Sequence, residues 1–131
     1  MDITRTDNID GTIILKLDGE LDAFACNQIR SSIEYITNAS SNDDVILDLS
    51  DVSFIDSSGI GLIVFLFKGL NRAGRSLKIT NIHGQPQELI SMLHIDEAIP
   101  VKQQGVSDFS VIEADQLLLE FANILLRLHT Q

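Results

Sequence analysis

Two adjacent hydroxyls, those of Ser57 and Ser58, are the side chains of this sequence best placed to bind or to be modified. They follow an apolar run typical of a buried strand, and an apolar run typical of a helix begins directly after them. This order predicts that both serines lie at a helix N-terminus and at the carboxyl end of a strand, where ligand and partner contacts concentrate in α/β proteins. Free N–H groups and the helix dipole favour an anion there, such as a phosphate group.

The neighbours of the two serines determine the space and the charge around such an anion. Gly59 and Gly61 are expected to keep the approach sterically open, so the fold itself would tolerate a phosphate on Ser58. That phosphate would add roughly −1.5 to −2 charge next to Asp56. The spacing is equally consistent with a second interpretation, in which Asp56 or Ser57 caps the helix and Ser58 is simply the next polar residue.

The segments around the serine turn alternate between strand and helix patterns. Strands are predicted at residues 3–6, 12–17, 45–49 with a continuation at 52–55, 77–80 and 99–101. Helices are predicted at about 22–37, with Asp22 as N-cap, then from the serine turn to about residue 73, at 86–94 and at 113–128. Asp10-Gly11 predicts a hairpin, and Asp18-Gly19-Glu20 is expected to end the second strand. This order predicts an α/β fold with a mixed β-sheet of about four to five strands packed with helices, plus an additional C-terminal helix.

The chain is expected to divide near residue 101. Residues 1–101 would form one domain, and residues 102–131 a linker and a leucine-rich helix. This helix would pack either on its own domain or on a partner, including a second copy of the chain in a homodimer.

Charge and composition exclude several classes of function. Nine Lys and Arg oppose 19 Asp and Glu, which gives a net charge of −10 and disfavours nucleic acid and anionic membrane surfaces as partners. No apolar run reaches the ~18–20 residues of a membrane span, and the N-terminus has no signal-peptide core. Cys26 is the single cysteine, so neither an intrachain disulfide nor a thiolate metal cage can form. These features predict a reduced, cytoplasmic protein.

The histidines and the acidic residues of the sequence do not form a recognisable metal or cofactor site. The three histidines, His83, His94 and His129, lack metal-ligand spacing, so no metal site and no cofactor are expected. The aspartates around the third strand are expected to form a solvated acidic edge: Asp43, Asp44, Asp48 and Asp51.

Several aromatic and basic residues are expected on particular helix faces. Phe24 is expected near the apolar stripe of the first helix, together with Cys26. Phe65 and Phe67 cannot both face the sheet, so one is a candidate interface anchor, the alternative being burial under the C-terminal helix. The basic residues after them are expected on the open face and end of that helix: Lys68, Arg72 and Arg75.

Three features resemble the STAS-domain family, and within it the anti-sigma factor antagonists. The segment 54–61, Phe-Ile-Asp-Ser-Ser-Gly-Ile-Gly, is similar to the family's serine signature, with Ile60 where leucine is more usual. The segment 17–22, Leu-Asp-Gly-Glu-Leu-Asp, followed by Ile29-Arg30, resembles its turn from strand to helix. The order of elements from the strand at 45–49 to a helix ending near His94 is also similar. Together these features cover about residues 1–101.

The resemblance implies a phosphorylatable binding module, not an enzyme. Ser58 matches the serine that, in this family, is phosphorylated by an anti-sigma factor that is also a serine kinase. The unphosphorylated antagonist binds that anti-sigma factor, the phosphorylated one releases it, and a serine phosphatase restores binding. ATP, Mg²⁺ and the base then belong to the kinase. The implied partner-binding residues are Asp22, Asp56, Ser57, Ser58, Gly59 and Ile60.

Two other functions stay open on the sequence. A serine hydrolase using Ser57 or Ser58 is disfavoured, because no Gly-x-Ser-x-Gly elbow is present and no histidine follows in a suitable element. A STAS-like subunit of a transport or signalling complex would use the same fold to hold a partner without being phosphorylated. The Asp-Ser-Ser-Gly turn favours the phosphorylated switch over that subunit.

Overall fold

The chain opens with a β-hairpin. In the computed structural model, which describes residues 1–103, strand β1 (Asp2–Asp7) pairs antiparallel with β2 (Ile13–Leu21). Gly11 takes a φ of +92°, which glycine adopts without strain, and the Asp10 carboxylate accepts a hydrogen bond of 2.9 Å from the Thr12 amide. The hairpin predicted from Asp10-Gly11 is confirmed.

Three helices and three further strands follow the hairpin, together with a short 3₁₀ turn at Ile95–Glu97. In chain order they are α1 (Ala23–Asn38), β3 (Val45–Ile55), α2 (Ser57–Arg72), β4 (Leu77–Thr80), α3 (Gly84–Met92) and β5 (Val101–Lys102). The sheet has the order β1-β2-β3-β4-β5, and every pair after the hairpin is parallel. The predicted mixed sheet with helical crossovers is therefore confirmed.

One apolar cluster holds the helices against the sheet. Alternate residues of β2 and β3 are buried, as expected where one strand face meets the core. They join the buried stripes of α1 and α2, which approach closely where Gly69 faces Thr37. The largest fully buried side chains include Leu15, Leu17, Ile33, Leu47, Leu49, Ile63 and Leu66.

Two predicted strand limits are wrong. Strand β2 continues through Asp18-Gly19-Glu20 to Leu21, and β3 runs unbroken from Val45 to Ile55. Pairing between the two strands is irregular at this point, with register shifts between Lys16 and Asp18 and between Gly19 and Glu20. Gly19 takes a φ of +132° there, so the irregularity absorbs residues that look like a turn in the sequence.

Arg75 is not on the helix surface as predicted. Its exposed fraction is 2%, and its guanidinium donates to the carbonyl oxygens of Asp43 at 2.7 Å and Ile36 at 2.9 Å. The left-handed turn at Gly74 directs this side chain under the last turn of α1. There it satisfies a carbonyl that the helix leaves without an internal donor. Lys68 and Arg72 are exposed, as predicted.

The predicted acidic edge is partly built into the fold. Asp48 is half-buried, and its carboxylate accepts hydrogen bonds from the Ser50 amide at 2.9 Å and from the Asn81 side chain at 3.3 Å. The Asp44 carboxylate accepts from the Ser76 amide at 2.9 Å, which ties the start of β3 to that of β4. These carboxylates therefore fix loops as well as facing solvent.

The C-terminal predictions fall largely beyond the described residues. Strand β5 begins at Val101, slightly later than predicted. Lys102, expected in the linker, belongs to β5, and the Gln103 side chain donates to the Ile82 carbonyl oxygen at 2.8 Å. The rest of the linker, the helix at 113–128, His129 and the homodimer through that helix lie outside residues 1–103. Within that range, no helix combines the length and the apolar character needed to cross a membrane.

Candidate functional site

The ends of β2 and β3 bring two aspartates to the same edge of the sheet. Leu21 pairs with Ile55, the last residue of each strand, and the Asp56 amide donates to the Leu21 carbonyl oxygen at 3.3 Å. Each strand is followed by one aspartate, Asp22 or Asp56, and then directly by a helix. Asp22 and the serine turn are thus neighbours at this edge.

Both aspartates cap the helices that follow them. The Asp22 carboxylate accepts from the Ala25 amide at 2.9 Å. The Asp56 carboxylate accepts from the amides of Ser58 at 2.9 Å and Gly59 at 3.1 Å. Of the two capping residues considered from the sequence, Asp56 performs this role, and it satisfies amides that a helix start leaves without partners.

The two serines occupy the first two positions of α2. Ser57 is exposed and Ser58 is half-buried. Among residues 1–103, neither hydroxyl has a hydrogen-bond partner, since the contacts of Ser58 run through its backbone amide. A new group on either oxygen would therefore break no side-chain hydrogen bond of the described fold.

Gly59 serves close packing rather than an open approach, so its predicted role is wrong. A Cβ atom at this position would lie 2.5 Å from the Leu21 carbonyl oxygen and 2.9 Å from Ile55 Cγ2. The first turn of α2 is thus pressed onto the ends of both strands. At Gly61, in contrast, no atom lies within 4 Å, so that glycine does leave space. Ile60 is half-buried and packs against the core.

The charge at this edge is negative. Burial raises the pKa of the Cys26 thiol above its ordinary value of 9.0, and the carboxylates of Asp56 and Asp22 raise it further, while Arg30 lowers it. Cys26 thus stays a neutral core group below the site. Within the described residues, no cluster of three or more His, Cys, Asp or Glu side chains could hold a metal ion.

Two exposed aromatic residues flank the capping aspartates. Phe24 follows Asp22 by two residues and is 71% exposed, and Phe54 precedes Asp56 by two residues and is 39% exposed. Placing Phe24 near the apolar stripe was wrong. Its helical neighbours at positions 27, 28 and 31 are Asn, Gln and Ser, a pattern that indicates a solvent-facing surface.

The two aromatic residues of α2 are both half-buried. Phe65 and Phe67 each pack against the core cluster and neither is exposed, whereas burial under the C-terminal helix concerns residues outside 1–103. The Arg30 guanidinium lies 5.9 Å from the centre of the Phe65 ring, which joins α1 to α2 by a cation–π contact.

Gln85 touches the strand that leads into the serine turn, and the sequence analysis did not identify it. Its side-chain amide accepts from the Ile55 amide and donates to the Ile55 carbonyl oxygen, both at 2.9 Å. The two residues are 30 positions apart, so no local pattern indicates this contact.

Comparison with known proteins decides the family. The family model described as the STAS domain matches residues 2–105. The chain belongs to the STAS-domain family. This STAS domain is 24% identical over 103 residues to the anti-sigma F factor antagonist of Paenibacillus polymyxa, a match that covers 79% of this chain and 88% of that protein.

Solved structures show the same fold. The STAS domain superposes on an anti-sigma-factor antagonist domain protein from Planctomyces limnophilus with a TM-score of 0.71 at 22% identity, covering 79% of this chain and 92% of that one. It superposes on the Bacillus cell fate determinant SpoIIAA in its phosphorylated form with a TM-score of 0.66 at 20% identity, covering 86% and 98%. The mixed sheet with helical crossovers is therefore the STAS fold.

Proposed function

We propose that this STAS domain is an anti-sigma factor antagonist whose binding is controlled by phosphorylation of Ser58. The unphosphorylated protein binds an anti-sigma factor that is also a serine kinase, the phosphorylated protein releases it, and a serine phosphatase restores binding. The observation that carries the proposal is the Ser58 hydroxyl. It lies in the first turn of α2, without an intramolecular partner in the described part of the chain, at the edge shared with Asp22 and Asp56. The names of the curated relatives support the same function.

The position of Ser58 explains how the fold can accept a phosphate group that nevertheless prevents a partner from docking. The N-terminus of α2 favours the phosphate dianion. A partner that covers the same edge would have to desolvate that dianion close to the Asp56 carboxylate, which caps the Ser58 amide. A penalty of about 2–4 kcal/mol would weaken binding roughly 30- to 1,000-fold, since each ~1.4 kcal/mol is a factor of ten.

The domain acts in this scheme as an acceptor and not as a catalyst. The Ser58 oxygen attacks the γ-phosphorus of ATP, the bond to the bridging oxygen breaks, ADP leaves, and the hydroxyl proton passes to a base of the kinase. The kinase supplies Mg²⁺ and the base. Because ATP and sigma factors are found there, the cytoplasm is the proposed location.

The test combines mass spectrometry with binding to an anti-sigma factor that is also a serine kinase, taken from the same organism as this protein. We expect the wild type and Ser57→Ala to gain the mass of one phosphoryl group with ATP and this kinase, and Ser58→Ala to gain none. Unmodified wild type should bind the kinase, and Ser58→Asp should bind it at least about tenfold more weakly.

Two results would reject the proposal. Phosphorylation of Ser58→Ala to the same extent as the wild type would move the acceptor to another residue. Binding without any phosphorylation would favour a non-phosphorylated STAS subunit instead. Spectra of Ser58→Asp and wild type should differ only near the turn, because the repulsion acts in the interface and the fold need not change.

A further inference from the structure

The second half of β3 lacks a strand on its β4 side. Strand β4 pairs with residues 45–48 of β3 and ends at Thr80, whereas β3 continues to Ile55. Strand β2 covers the opposite edge along this whole length, up to the pair of Leu21 with Ile55. The segment of β3 that delivers the chain to the serine turn therefore needs partners for its outward backbone groups from elsewhere.

Three alternate side chains after β4 supply contacts along this edge. Asn81 donates to the Asp48 carboxylate at 3.3 Å, and a His83 ring nitrogen lies 2.8 Å from the Ser50 carbonyl oxygen. Gln85 then reaches Ile55 with both ends of its amide, each at 2.9 Å. The segment is not a regular strand, since Asn81 and Gly84 take left-handed φ values of 59° and 62°, and these two turns bring the three side chains to the same edge of β3.

The Gln85 amide reproduces the pairing that a neighbouring strand would give. One residue of a strand directs its N–H and C=O to the same side, and Gln85 satisfies both groups of Ile55 at once. His83, the N-cap of α3, makes no side-chain hydrogen bond to its own helix. The polar side chains at the start of α3 are thus directed to β3 and not to capping α3.

We propose that Gln85 is a positioning residue for Ser58, holding the last residue of β3 so that the turn 56–58 keeps its place on the sheet edge. This inference rests on the proposed function of Ser58. Ile55 is joined directly to Asp56, whose carboxylate holds the amides of Ser58 and Gly59. The Ile55 side chain also forms part of the surface on which Gly59 sits. A displacement of Ile55 therefore reaches the serine turn through one peptide bond and one packing contact.

The test is amide hydrogen exchange by NMR on the full-length chain. Gln85→Met keeps the length of the side chain and removes both hydrogen bonds, whereas Gln85→Glu at neutral pH keeps the acceptor and loses the donor. Gln87→Met is the matched control, because Gln87 is exposed on the same helix and no hydrogen bond joins it to β3 among residues 1–103. We expect Gln85→Met to raise exchange at Ile55 at least about tenfold, and at Ser58 and Gly59 about threefold or more, with Gln85→Glu in between.

A binding measurement shows whether Gln85 positions Ser58 or only provides hydrogen bonds to the edge of β3. Gln85→Met should weaken binding to the anti-sigma factor about fivefold or more, while Gln87→Met binds like the wild type. Gln85→Met should also unfold at a lower urea concentration, because Ile55 loses both hydrogen bonds, so binding is compared without urea, where both variants are folded. Faster exchange at Ile55 alone, with unchanged Ser58 and Gly59 amides, would overturn the proposal. If the wild type binds no anti-sigma factor, the proposed function fails, and the exchange at Ser58 and Gly59 still decides whether Gln85 positions the turn.

Discussion

Replacing Gly59 by alanine should destabilise this protein, although the same change stabilises most helices. The new Cβ atom would lie 2.5 Å from the Leu21 carbonyl oxygen, 2.9 Å from Ile55 Cγ2 and 3.0 Å from Leu21 Cγ. Leu21 and Ile55 are both fully buried, so neither strand end can move away without disturbing the core. The carbonyl oxygen belongs to the backbone and cannot rotate aside. The helix start must therefore shift outward.

The Gly59→Ala substitution has one effect that stabilises the fold and two that destabilise it. Alanine gains about 0.8–1 kcal/mol over glycine from helix propensity. Overpacking costs about 1–3 kcal/mol, and the upper half of that range applies here because the nearest atom is backbone. Weakening the hydrogen bond from the Gly59 amide to the Asp56 cap adds about 1 kcal/mol of loss. The net expectation is a loss of about 2–3 kcal/mol in the free energy of unfolding.

Urea unfolding of the full-length chain measures this loss, and Gly61→Ala provides the control. Gly61 lies in the same helix, is exposed and has no atom within 4 Å of the added methyl group. That variant should gain about 0.5–1 kcal/mol, so the two unfolding midpoints should move in opposite directions. A Gly59→Ala protein that unfolds at the same urea concentration as the wild type, or a higher one, would refute the reasoning.

Four further outcomes follow from three side chains whose burial was described above. Arg75→Met should cost about 2–4 kcal/mol, because the carbonyl groups of Ile36 and Asp43 lose their donor; a loss below about 0.5 kcal/mol in urea unfolding would contradict the capping role. Phe24→Ser should change stability by less than about 0.5 kcal/mol and weaken anti-sigma factor binding about tenfold, whereas an unchanged dissociation constant would remove Phe24 from the interface. Cys26 should react with thiol reagents at least about tenfold more slowly than an exposed cysteine. Because its folded pKa is raised above the unfolded value, Cys26 should make stability fall as the pH rises above 9.0, and a Cys26→Ala variant should lose that slope.

Local chemistry made much of the site predictable from the sequence. An aspartate before a helical pattern indicates an N-cap, and Asp22 and Asp56 both cap helices. The Asp10-Gly11 pair indicated the hairpin for the same reason, since a tight turn depends on a few adjacent residues. Alternation of strand and helix patterns predicted a partly parallel sheet, and the structure shows that the parallel pair of β2 and β3 places both aspartates at one edge.

Contacts between distant residues were not predictable in this way. The burial of Arg75 depends on carbonyl groups 32 and 39 positions away, and the role of Gln85 depends on a strand 30 positions away. The role of Gly59 was misjudged because its reason is the carbonyl oxygen of a neighbouring strand, which no pattern around position 59 reveals. Strand limits failed at Gly19, where an irregular pairing lets turn-like residues continue a strand.

The strand order has a consequence for how the chain folds. Every strand pairs with the strand before it in the sequence, so the sheet grows from one side in the direction of synthesis. The hairpin closes a short loop, whereas the parallel pairs join residues 22 to 34 positions apart, such as Ile79 with Val101 and Leu21 with Ile55. Parallel pairings of this kind form slowly, but each of them uses only an edge that precedes the new strand in the chain. A nascent chain can therefore add one strand at a time to an existing edge while it leaves the ribosome. The turn with Ser57 and Ser58 would then take its final place only after Gln85 has emerged, since Gln85 holds the last residue of β3.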